Sequence, residues 1–111
     1  MTLRIRSITN AVILDLRGDL IRGEPVRTLR TQVYRLLETG NKTLAVNMAE
    51  VSYLDSAGVG VLMSIHTTAR ASGSKCRFFA LTPATKAVLK LNNLDKALDL
   101  YGDEATALAS P

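Results

Sequence analysis

The chain has 111 residues, 47% of them apolar and 22% charged, with a formal charge of +4. That is the size of one domain around one core, residues 1–111, and the balance is that of a globular chain rather than a disordered one. One Cys and one His exclude an intrachain disulfide and any metal centre that needs several such ligands.

The elements follow from the hydrophobic period. Leu3 to Ile8 reads as a strand, and so does Val12 to Arg17, with Thr9-Asn10-Ala11 as the turn between them. In the second strand Val12, Leu14 and Leu16 alternate with Ile13, Asp15 and Arg17, so one face is wetter than the other. Gly18-Asp19 is expected to end it. Pro25 then suits a first helical turn, because its missing N–H has no partner there. Val26, Leu29, Val33, Leu36 and Leu37 follow on one helical face, and Gly40 is a C-terminal stop.

Thr43 to Ala49 is apolar on both sides, as an interior strand would be. Asp55-Ser56-Ala57-Gly58-Val59-Gly60 leads into an apolar helix running to about Ala71, which Gly73 stops. Cys76 to Leu81 is a strand. Thr82-Pro83 starts a helix with Ala84, Val88 and Leu91. Leu98 to Tyr101 is a last short strand, and Asp103 caps a closing helix with Ala105, Ala107 and Leu108. The order ββαβαβα(β)α predicts an α/β fold. Its mixed sheet of four to five strands is covered in two layers, or incompletely.

The Asp55–Gly60 junction carries the most information. Asp55 or Ser56 can cap the helix by accepting a first-turn N–H. Two glycines in the first turns cost helix stability, about 1 kcal/mol each against Ala. They also keep the surface around Ser56 low enough for another molecule to approach. Catalysis by Ser56 does not fit. Leu54 stands where a nucleophile elbow has its first Gly, and the only base, His66, is ten residues on, about 15 Å along the helix axis. Cys76 among apolar neighbours reads as core. His66 and Cys76 do not make a metal site.

Nucleotide signatures fail as well. Gly58-Val59-Gly60 is followed by Met63 where a dinucleotide fingerprint needs its third Gly, and Gly18 to Gly23 is followed by Glu24 rather than Lys. Arg4, Arg6, Arg17, Arg22, Arg27, Arg30 and Arg35 interleave with acids, and two Phe and three Tyr make no stacking ladder. No enzyme activity, cofactor, metal or nucleic-acid partner is expected. No apolar run is long enough to span a membrane, and Met1 to Ser7 lacks the apolar core of a signal peptide. A cytoplasmic location is the expectation.

Leu54-Asp55-Ser56-Ala57-Gly58-Val59-Gly60-Val61-Leu62-Met63 resembles the central mark of the STAS family, the sulfate transporter and anti-sigma factor antagonist domain. Leu14 to Leu20 is similar to its second strand and Gly-Asp-Leu turn, and Leu44 to Met48 to the strand before the serine. The resemblance implies a small sheet with about four helices on one side. It also implies a free-standing antagonist that binds an anti-sigma factor with serine kinase activity and so frees the sigma factor. In that scheme the kinase phosphorylates Ser56 and breaks the complex, and a serine phosphatase resets it. Asp55 would orient Ser56, Gly58 and Gly60 would admit the partner, and Asp19 would share the surface. Ile21-Arg22-Gly23-Glu24-Pro25-Val26 departs from the family pattern, and Arg22 puts a charge on the partner surface. Along the helix, Val59, Met63 and His66 are candidates for apolar contact, or Val59 and Met63 are core. Val61, Leu62 and Ile65 face the sheet. The alternative function is a scaffold or transporter-associated STAS module whose serine is never modified.

Overall fold

The computed structural model describes residues 1–40 and 43–109. Strands β1 (Thr2–Ile8), β2 (Ala11–Leu20), β3 (Thr43–Leu54), β4 (Lys75–Phe79) and β5 (Asp99–Tyr101) form one sheet in the order β1-β2-β3-β4-β5. The β1–β2 pair is antiparallel and the other three pairs are parallel. Helices α1 (Glu24–Glu38), α2 (Ser56–Ala71) and α3 (Pro83–Leu91) connect the parallel strands, and α4 (Glu104–Ala109) closes the chain.

Strand alternation sorts the core into two parts. Val12, Leu14 and Leu16 of β2, with Leu44, Val46 and Met48 of β3 and Phe78 of β4, pack against Val26, Leu29 and Val33 of α1, Val61, Leu62 and Ile65 of α2, and Leu89 of α3. The intervening residues Ile13, Ala45 and Phe79 point the other way and meet Ala107 of α4. Three helices thus share one face, while the short α4 covers only part of the second. This is the incompletely covered mixed sheet the element order predicts, with one helix on the side the family resemblance left bare.

Several boundaries move. Gly18 does not end β2: the strand runs on to Leu20 through register shifts at Asp15/Arg17 and Gly18/Leu20, with Gly18 at φ +111°. That backbone conformation is open to glycine and strained for other residues. Asp19 therefore lies in the strand, exposed, rather than in a turn after it. β3 is five residues longer than its apolar run, because Val51 and Leu54 are buried in the same core. β4 stops at Phe79, ahead of Ala80 at φ +60°.

In α3 the inward residues are Thr85 and Leu89, one turn apart, with Val88 half-buried; Ala84 is exposed and Leu91 is 84% exposed. Thr85 tolerates burial because its hydroxyl donates to the Thr82 carbonyl at 3.2 Å. Tyr34, whose place in the pattern marks it as outside the apolar face of α1, instead packs against the core and hydrogen-bonds Ser64 of α2 at 3.0 Å.

The open part of the second face is held by charge. Arg6 contacts both Asp15, at 2.6 and 2.9 Å, and Glu104 of α4, at 2.7 Å. Asn47 adds a bond to Asp15 at 2.9 Å. The Arg6 hydrogen bonds hold the Asp15 carboxyl down at about 2, well below its usual range.

Candidate functional site

The site is built where β3 gives way to α2. Asp55 has extended backbone geometry and is the N-cap; its Oδ1 accepts the Gly58 N–H at 2.7 Å. Its second oxygen, Oδ2, accepts the Arg22 N–H at 2.9 Å from the loop between β2 and α1. One carboxylate therefore caps α2 and ties the neighbouring loop to it. These bonds, the Arg22 N–H first and the Gly58 N–H second, hold the carboxyl below its ordinary range, so Asp55 is ionised at neutral pH.

With the cap on Asp55, Ser56 becomes the first residue of α2, and it is exposed. First-turn N–H groups have no partner inside a helix, and the dipole is positive there, so an anion on the Ser56 hydroxyl meets a favourable field. The two glycines that follow have different reasons. Gly58 is buried, and a Cβ there would lie 2.1 Å from the Leu20 carbonyl oxygen. Its missing side chain lets the end of β2 lie against the first turn of α2. Gly60 is exposed, and a Cβ there would meet nothing within 4 Å. Gly60 is thus the glycine that leaves low, open surface.

The remaining candidates divide by exposure. Arg22 and Asp19 are exposed, and the Arg22 backbone is bound to Asp55. Val59 is only 7% exposed and belongs to the core, while Met63 is partly buried against it. His66 lines a separate cleft with Arg70 and Lys96, so Ser56 has no histidine beside it. Cys76 is buried, and burial raises its thiol well above the usual range. No group of three His, Cys, Asp or Glu among the described residues can hold a metal ion, and no described helix is long and apolar enough to cross a membrane.

Tyr53 is the residue the sequence pattern passes over. It is 54% exposed, two positions before Asp55. Regular alternation from buried Val51 would turn Tyr53 inward, but Leu54 takes the next buried place instead. The signal for Tyr53 is therefore the irregular end of β3, which no period reveals.

The model of the STAS domain matches residues 2–107. A Thermotoga maritima protein proposed as an anti-sigma factor antagonist superposes with a TM-score of 0.88 at 22% identity, covering 96% of this chain and 92% of its own. An anti-sigma factor antagonist from Mycobacterium paratuberculosis follows at 0.83 and 19%, with 97% and 91% covered. The Bacillus cell fate determinant SpoIIAA in its phosphorylated form gives 0.74 and 19%, with 95% and 94% covered. At these identities the structures establish the shared fold, and with the match over nearly the whole length the chain belongs to the STAS domain family.

Proposed function

We propose that this protein is an anti-sigma factor antagonist, a binding module rather than an enzyme, switched by phosphorylation of Ser56. Its partners are an anti-sigma factor with serine kinase activity, bound while Ser56 is free, and a serine phosphatase that restores that state. The observation that carries the reading is the exposed Ser56 hydroxyl on the first turn of α2, beside an ionised carboxylate tied to the next loop. The phosphorylated Bacillus fold relative supports it.

The chemistry is done to this chain by its partner, so the site needs no base of its own. A phosphate adds about −1.5 to −2 charge at neutral pH. The helix N-terminus accommodates that charge, and the Asp55 carboxylate opposes it. The fold therefore survives while the surface that meets the partner becomes bulkier and more strongly negative. Arg22 and Asp19 border this surface, Gly60 opens it, and Met63 adds partly buried apolar area; Gly58 and Val59 support it from beneath.

A pull-down with the candidate kinase, comparing wild type, Ser56→Ala and Ser56→Asp, tests the switch. Retention by Ala and loss by Asp is expected, with phosphate found on Ser56 by mass spectrometry after incubation with the kinase and ATP. Equal recovery of all three variants, with no phosphate on Ser56, refutes it and leaves a scaffold STAS module.

A further inference from the structure

We propose that a second site, independent of Ser56, binds a small polyanion: a phosphate- or carboxylate-bearing molecule with at least two negative charges. It is a cleft of about 560 Å³ between the C-terminal half of α2 and the 96–101 segment that leads into β5. A volume of this order suits a small ligand.

The chemistry of the lining is one-sided. Its residues include Arg70, Lys75, Arg77 and Lys96 and a single carboxylate, Asp99. The whole chain carries only +4, and the cleft brings together basic residues that look dispersed along the sequence. The one acid is already engaged. Arg77, 3% exposed, lies 3.5 Å from the Asp99 carboxylate, donates to the Ala107 carbonyl at 2.8 Å and sits 5.6 Å over the Tyr101 ring.

Arg70 and Lys96 are exposed and make no ion pair among the described residues. Clefts lined by one sign of charge concentrate counter-charged ligands. The larger cavity, about 630 Å³ on the open face of the sheet, makes the contrast. There Arg6 pairs with Asp15 and Arg17 with Glu50, leaving less for a ligand.

The His66 ring lines the same cleft, and its Nδ1 is buried with no hydrogen-bond partner among the described residues. Such orphan atoms are uncommon in folded proteins.

The test is an amide NMR titration of the intact protein with inorganic pyrophosphate and, separately, citrate, at ionic strength matched with sodium chloride. Saturable shifts at Arg70, at Lys75 to Arg77 and at Lys96 to Asp99 are expected, leaving Ser56 to Gly60 unmoved. The tighter probe identifies the headgroup. The double variant Arg70→Gln/Lys96→Gln changes only exposed side chains, and a melt confirms that it folds. Its affinity should fall at least tenfold. Non-saturating shifts, shifts centred on Ser56, or an unchanged Kd in the double variant overturn the proposal.

Discussion

Gly58 and Gly60 lie two residues apart in the same helix, and replacing each with Ala should move stability in opposite directions. In an open helix position Ala is favoured over Gly by up to about 1 kcal/mol, through backbone entropy. At Gly60 nothing stands within 4 Å of the new methyl group, so that gain should be realised, at about 0.5–1 kcal/mol. At Gly58 the methyl carbon would lie 2.1 Å from the Leu20 carbonyl oxygen and 3.1 Å from its carbon.

Real contacts of this kind keep at least 3.0 Å, so the end of β2 and the first turn of α2 must part by about 0.9 Å. Neither side yields easily. Leu20 is a fully buried core residue, and the Gly58 N–H is bonded to Asp55. Overpacking strain of this type costs about 1–3 kcal/mol and sometimes more. A clash with backbone belongs at the upper end, so the net loss is about 2 kcal/mol after the helix gain. For a domain of this size that lowers Tm by on the order of 10 °C, while Gly60→Ala raises it by a few degrees. Thermal melts by circular dichroism decide the matter. A Gly58→Ala protein as stable as wild type, or a Gly60→Ala protein that loses as much, would refute the reasoning.

Asp15 has its folded-state pKa depressed, to about 2. Its contribution is therefore present above the unfolded value near 4 and lost as pH falls through about 2. Solvent on this face limits it to about 1 kcal/mol. Acid titration of Asp15→Asn should show a shallower loss of stability than wild type between pH 4 and 2, and parallel curves would contradict this. Phe78→Ala empties the centre of the main core, where Phe78 is fully buried. It should cost about 3–5 kcal/mol in urea unfolding; a loss below about 1 kcal/mol would put Phe78 outside the packed core. Cys76, buried with a raised thiol pKa, should resist iodoacetamide until the protein is denatured, and rapid labelling of the folded protein would show that the strand opens. If exposed Tyr53, two positions before Asp55, extends the proposed partner surface, Tyr53→Ala should leave Tm unchanged and weaken capture of the kinase partner by about fivefold or more. Undiminished capture would remove Tyr53 from that surface.

Most elements were legible because their residues obey a period. Val26, Leu29 and Val33 mark the buried face of α1, and the alternation of β2 marks a sheet with two unlike faces. The cap Thr82 was legible too, because a cap needs only a short side-chain oxygen near the first turn; for α2 the pattern offered Asp55 or Ser56, and the structure chooses Asp55. Asp55-Ser56 at a strand-to-helix junction was a local pattern, and the structure builds it where the pattern lies.

Other features depend on what comes near in space. Ile13 follows the wetter alternation of β2, yet it is fully buried because α4, some ninety residues later, folds over that face. Gly58 looks like a residue that makes way for a partner. The carbonyl it accommodates belongs to Leu20, brought there by the β2–β3 pairing. The second role of Asp55, holding the Arg22 loop, likewise needs two segments thirty-three residues apart to meet.

Composition alone excluded an intrachain disulfide and metal sites built from several Cys and His, because counts of residue types do not depend on the fold. The +4 charge was different. Along the chain it interleaves with acids and reads as dispersed. Only the tertiary structure pairs Arg6 with Asp15 and Arg17 with Glu50, and gathers Arg70, Lys75, Arg77 and Lys96 with a single acid around one cleft. The physical reason is range: propensity and capping act over a few residues, whereas charge and close contact act between whatever the fold brings together.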